Sequence, residues 1–172
     1  PGLLVGRRAV LALAACAAVL VPVLAIVMRW PVSTASASTG VPRCVTSRLV
    51  VWLDTRGSGA AGSSYYTLKL TNFSGHTCSL VGYPGVSGVG IVGRQLGSAA
   101  SRDSVHAVRR ITLRNHATAN ATLRIVDAAN YPNSRCHRVT AAGLRVYPPN
   151  QRVSKVIPFP FQACSRTGPV YL

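Results

Sequence analysis

Glutamate does not occur anywhere in this chain, and acidic side chains are limited to Asp54, Asp103 and Asp127. General acid–base work by paired carboxylates needs two acids in one site, and hard cations need several oxygen ligands. Three isolated Asp residues disfavour both. Aromatic residues make up 6% of the chain and do not alternate with Arg as base-stacking platforms would. No Cys-x-x-Cys occurs, and the one tight metal-like pair, Cys136-His137, offers adjacent ligands that rarely share a tetrahedral ion. No cofactor and no metal site is expected. Internal repeats are also missing.

What the chain has in excess is arginine. Of 19 basic residues only Lys69 and Lys155 are Lys. Setting Arg7, Arg8 and Arg29 aside leaves 16 basic and 3 acidic residues after position 30, a net charge of +13. Such a field attracts phospholipid head groups, acidic glycopolymers or nucleic acid. A plainer account is that Arg is a soluble surface residue. Arg109-Arg110, with Arg102, Arg114 and Arg124 nearby in sequence, form a possible basic stripe. The missing aromatic alternation and the expected export of the chain make nucleic acid an unfavoured partner.

The 5 cysteines divide into one and four. Cys16 lies in an apolar run, whereas Cys44, Cys78, Cys136 and Cys164 lie in the polar part, where an even set reads as two disulfides of an exported domain. Four cysteines allow three pairings. Cys44–Cys78 with Cys136–Cys164 is preferred, because it staples the first and last portions separately.

Arg7 and Arg8 precede an uncharged apolar run over residues 9–28. A helix of that length would reach ~30 Å, enough to cross a bilayer. Residues 1–30 are therefore expected to be a membrane anchor or a signal peptide, with the following domain outside the cytoplasm. Two other fates stay open: cleavage after Ala35-Ser36-Ala37, or lipidation of Cys16 in Leu13-Ala14-Ala15-Cys16. Residues 31–43, rich in Ser, Thr, Ala and Pro, read as a tether. The domain is set at 44–172, located at the cell membrane or secreted.

From Cys44 onward the hydrophobic period is two. Leu49, Val51 and Leu53 share a face, as do Tyr66, Leu68 and Leu70, and again Ala119, Ala121, Leu123 and Ile125. Ile111 with Leu113, and Leu144 with Val146, repeat the pattern, leaving Arg110, Arg124 and Arg145 outward. The stretch from Ser64 to Val86 reads as a hairpin stapled by Cys78. Arg56 to Gly62, Asn72 to His76, Asn115-His116 and Asn130 to Asn133 supply turn chemistry, and Asp127 to Asn130 a short helical turn. Seven or more short strands in about 130 residues predict an all-β, immunoglobulin-like antiparallel β-sandwich.

Motifs of catalysis are weak. Gly88-Val89-Gly90-Ile91-Val92-Gly93 matches G-x-G-x-x-G but lacks a following helix, a βαβ context and an acidic residue about twenty positions on, and a Gly-rich strand or hairpin fits better. Gly85-Val86-Ser87-Gly88-Val89 fails as a nucleophile elbow, since Val89 stands where Gly must be. Ser87, His106 and Asp103 assemble a triad on paper only. His76, His106, His116 and His137 fall in turns or strand ends.

The order Leu70-Thr71-Asn72, Thr77-Cys78-Ser79-Leu80, Gly82-Tyr83-Pro84-Gly85-Val86 and Leu144-Arg145-Val146-Tyr147-Pro148-Pro149-Asn150, framed by Cys44, Cys136 and Cys164, resembles domain-of-unknown-function family 4232. The resemblance runs from Cys44 to Leu172 and implies an exported actinobacterial β-sandwich with paired cysteines. It implies no catalytic residues. One departure is Arg114-Asn115-His116, where the family usually places a Pro-Gly-type turn; Asn tolerates the left-handed conformation such a turn needs. The expected function is a non-enzymatic binding or interaction module for an anionic envelope component or a protein partner, with Arg110, Arg124 and Arg145 as the candidate anionic-ligand surface. An envelope hydrolase with a Ser-centred site and a ligand-free spacer are the competing readings.

Overall fold

The computed structural model describes residues 40–169, 171 and 172. The apolar run over 9–28 and most of the 31–43 tether lie outside the described residues. Nine strands follow in order: β1 (Leu49–Ala60), β2 (Ser63–Asn72), β3 (Cys78–Val81), β4 (Gly85–Val89), β5 (Gln95–Leu96), β6 (Arg110–Leu113), β7 (Thr118–Val126), β8 (Arg138–Tyr147) and β9 (Lys155–Cys164). A four-residue helix, α1 (Asn133–Cys136), precedes β8. The protein is all-β, with antiparallel strand pairing and two disulfides. Among the described residues no helix is long and apolar enough to cross a membrane.

The strands form three sheets, β1-β2-β7, β3-β6 and β5-β4-β8-β9. Period-two patterning decides what each buries. In β7, Ala119, Leu123 and Ile125 enter the core while Thr118, Asn120, Thr122 and Arg124 stay wet. Leu49 and Leu53 of β1, Leu68 and Leu70 of β2, and Leu144 and Val146 of β8 join the same core cluster. Each fully buried Leu or Val contributes about 1.5–3 kcal/mol. The cluster begins at Cys44 and ends at Leu172, and both disulfides close within it. Residues 38–172 form one compact unit, which contains the whole core cluster and both disulfides.

The structure departs from the sequence expectations at several points. Arg56 to Gly62 is not a loop: β1 runs on to Ala60, and only Ala61 and Gly62, at φ of 47° and 71°, make the turn into β2. Two consecutive positive-φ residues are what a tight hairpin with the strands' own twist requires. Backbone pairing with Ser63–Tyr65 supplies partners that the polar composition does not advertise, and a register shift between Asp54 and Ser58 absorbs the mismatch. Ser64 to Val86 is not a hairpin either. β2 pairs with β1 and β7, whereas β3 pairs with β6 in another sheet. The chain leaves this sheet after Asn72, whose backbone N–H still donates to Ala117 C=O just before β7 begins. Ile111 is 43% exposed rather than inward, since in the four-residue β6 only Leu113 reaches the core. The folded domain also starts before Cys44: Pro42 accepts a hydrogen bond from Ser79 N–H, and Arg43 bridges Ser79. At the family's turn position the left-handed residue is His116 (φ 65°), while the Asn115 side chain accepts from Gly75 N–H.

The disulfides join Cys44 to Cys78 and Cys136 to Cys164, the pairing that staples the two portions separately. Strand β9, at the edge of its sheet, carries Pro158 and Pro160. Each removes an N–H from the exposed edge and blunts it against pairing with another chain.

Candidate functional site

The pairing of β4 with β8 sets Gly85 opposite Tyr147. Each strand meets a Pro-containing turn at that end. Gly82-Tyr83-Pro84 leads into β4, and Pro148-Pro149-Asn150-Gln151 leaves β8 through a turn closed by Gln151 N–H donating to Pro148 C=O, 3.0 Å. Proline fixes φ and offers no N–H to a ladder, so both strands give way to turns here, and Tyr83 and Tyr147 both face one groove at this end of the sheet. The result is an open groove of about 530 Å³ lined by Tyr83, Tyr147, Arg102, Val108, Asn150 and Gln151, among others.

Neighbouring contacts hold this groove in shape. The Gln151 amide donates to Cys44 C=O at 2.7 Å and accepts from the Thr46 hydroxyl, tying the turn to the first disulfide. The Tyr83 hydroxyl donates to His106 C=O, anchoring the exposed loop over residues 101–109 that carries Arg102 and Val108. Two aromatic walls, one guanidinium and two amide side chains suit a polar ligand bearing negative charge, such as an acidic sugar chain. No acidic residue lines the groove.

A second groove, about 450 Å³, lies between the β1–β2 turn and β9. It contains no basic residue, and its floor is an aromatic row: Tyr66 against Phe159 at 5.0 Å between centroids, Phe159 against Phe161 at 5.9 Å. Tyr171 continues the row from the chain end. Its hydroxyl donates to Leu96 C=O, and burial pushes the phenol up to about 12. Asp127, the one carboxylate there, caps the 3-10 turn Ala128–Asn130 by accepting from Ala129 N–H at 2.9 Å.

The three candidate arginines do not make one face. Arg110 is on β6, Arg124 on β7 and Arg145 on β8, each in a different sheet. Arg110 donates to the Ser79 hydroxyl at 3.1 Å. Arg145 is half-buried, and its guanidinium donates to Gly93 C=O in the β4–β5 turn. Arg124 remains exposed, beside Tyr65 across the strand pair. The paper triad does not form a nucleophilic site: Ser87 is 3% exposed within β4, while Asp103 and His106 stand on the exposed loop. All four His residues are exposed. Among the described residues no group of three or more His, Cys, Asp or Glu is placed to hold a metal ion.

The groove was not legible as a site from the sequence, although Tyr83 and Tyr147 both fall inside blocks that carry the family resemblance. A family model described as a domain of unknown function, DUF4232, matches residues 44–170. The chain belongs to this family. No curated protein matches the sequence. In this DUF4232 domain the Gly-Tyr-Pro-Gly and Val-Tyr-Pro-Pro blocks are the two walls of one groove.

Proposed function

We propose that this DUF4232 protein is an exported, membrane-tethered or secreted binding domain. In this reading its sheets make an immunoglobulin-like sandwich that presents the Tyr83–Tyr147 groove to an acidic glycopolymer of the cell envelope. One observation carries it: two sequence blocks about sixty residues apart converge on a groove with two tyrosines, one arginine and no acid. Tyrosine rings suit the apolar faces of sugars, and Arg102 would pair with a carboxylate or phosphate on the polymer. The buried Ser87 favours binding over hydrolysis. The net charge of +13 would speed encounter with any polyanion without specifying it.

The test is retention of purified residues 38–172 on immobilised acidic envelope polymer at low and high salt. Tyr147→Ala and Arg102→Gln are each expected to weaken binding on the order of tenfold. Binding untouched by both variants would move the site away from the groove. No retention of the parent domain would leave the spacer reading in its place.

A further inference from the structure

Two of the three most exposed large apolar side chains among the described residues are neighbours in the sequence. Ile91 is 94% exposed and Val92 81% exposed, side by side at the tip of the β4–β5 hairpin. The tip is built with care. Gly93 N–H donates to Gly90 C=O at 2.9 Å, and Gly90 N–H to Arg94 C=O at 2.9 Å. Gly93 sits at φ 74°, the left-handed residue that completes a three-residue hairpin loop. This places Ile91 and Val92 at the two central turn positions, where Asp, Asn, Ser, Pro or Gly would be ordinary and β-branched apolar side chains are not. Behind the tip, Arg145 donates to Gly93 C=O and fixes the loop to β8. Val156, also exposed, lies directly opposite Arg145 on β9. Arg94 stands exposed beside the tip, and no acidic residue occurs from position 55 to 102.

We propose that this hairpin tip is a membrane-contact element that inserts Ile91 and Val92 into the interface of an anionic lipid bilayer. Arg94 meets the phosphate layer. Two aliphatic side chains on a convex tip offer too little area for a stable protein interface, which takes about 800 Å² per partner. They suit shallow burial at the acyl boundary, where apolar contact and attraction of basic side chains to anionic lipid act together. The positive domain charge favours the same surface, and the apolar run over residues 9–28 predicts a bilayer within reach of the tether. This assignment does not rest on the glycopolymer groove.

The experiment is flotation of residues 38–172 with phosphatidylcholine vesicles and with the same vesicles containing phosphatidylglycerol. The domain is expected to float with the anionic vesicles. The double variant Ile91→Ser, Val92→Ser should lose on the order of tenfold in partitioning, with an unchanged thermal midpoint because neither side chain touches the core. Arg94→Gln should weaken binding to anionic vesicles, and Arg94→Lys should largely preserve it. Tryptophan placed by Ile91→Trp should shift its emission to the blue on adding vesicles. Tyr147→Ala, which tests the groove, should leave vesicle binding intact. Failure of the parent domain to float with anionic vesicles would overturn the proposal, as would bound protein whose position-91 emission does not shift. Capture of an envelope protein that depends on Ile91 and Val92, without vesicle binding, would replace the bilayer with a protein partner.

Discussion

Asn72 ties the end of β2 to the segments around His76 and Leu113. It is fully buried at the point where the chain leaves β2. Its amide nitrogen lies within hydrogen-bond distance of the carbonyls of His76 (2.8 Å), Leu113 (3.0 Å) and Arg114 (3.2 Å), and its oxygen accepts from Ser74 N–H at 2.9 Å. Asn72→Ala would strand these groups away from water. A buried polar group without its partner costs about 1–3 kcal/mol, so urea denaturation should show a loss of roughly 2–3 kcal/mol. Asn72→Asp tests the same point, since a carboxylate cannot donate to the carbonyls, and should be at least as damaging. Tyr171 gives a pH signature. Its phenol ionises at about 12 in the folded chain against an ordinary 10.0. A raised pKa in the folded state means a contribution fully present below pH 10.0 and lost as pH rises through about 12. Stability should fall across that window, and Tyr171→Phe should flatten the fall; an equal slope in both proteins would place the titration elsewhere. Asp54 behaves oppositely. Hydrogen bonds from Arg56 and then Lys69 hold its carboxyl well below the usual range, so its contribution is present above the ordinary value and fades in strong acid.

At the scale of elements, the two disulfides hold opposite portions of the chain. Cys44–Cys78 closes a separation of 34 residues and Cys136–Cys164 one of 28. In the chain-entropy model each contributes roughly 3–4 kcal/mol. The double variant Cys44→Ala, Cys78→Ala should lose about that much, with chemical denaturation as the check, and should also loosen the groove. The reason is that Gln151 donates to the Cys44 carbonyl. Cys136→Ala, Cys164→Ala should cost a similar amount yet leave groove binding largely intact. β7 shows how far sequence patterning reaches, because Ala119, Leu123 and Ile125 are buried between exposed Thr118, Asn120, Thr122 and Arg124, with Ala121 half-buried. β1 shows where patterning stops. Beyond Asp54 its Gly- and Ser-containing sequence has no periodicity, and it is strand because β2 supplies partners. At Gly88–Gly93 the glycines left strand or hairpin open, and the β4–β5 pairing decides for a hairpin; its apolar tip was not legible, since exposure of Ile91 depends on how the turn projects. The groove was hidden for a different reason. Tyr83 and Tyr147 reach one groove only through the β4–β8 ladder, and no local spacing encodes the meeting of segments that far apart. Likewise the outward parity of Arg110, Arg124 and Arg145 was readable strand by strand, while their division among three sheets was a property of pairing.

For the molecule as a whole the governing quantity is unneutralised charge. Among the described residues the ion pairs are Asp54 with Arg56 and Asp54 with Lys69. Asp103 and Asp127 accept backbone N–H bonds instead. With 16 basic and 3 acidic residues after position 30, the folded domain repels itself more than its expanded chain does. Added salt should therefore stabilise the isolated domain while weakening its attachment to any polyanion, because screening acts on both fields. Raising ionic strength from about 0.01 to 0.15 M shortens the Debye length from about 30 to 8 Å. A gain on the order of 1 kcal/mol would lift the thermal midpoint by about 4 °C for a domain of this size. The opposite signs make the pair of measurements decisive. If binding and thermal midpoint both fell with salt, lost binding would reflect a loosened fold rather than screened contact. If the midpoint rose while binding held constant, the ligand would be engaged through Tyr83, Tyr147 and the apolar tip, with the arginines acting only to keep the domain soluble.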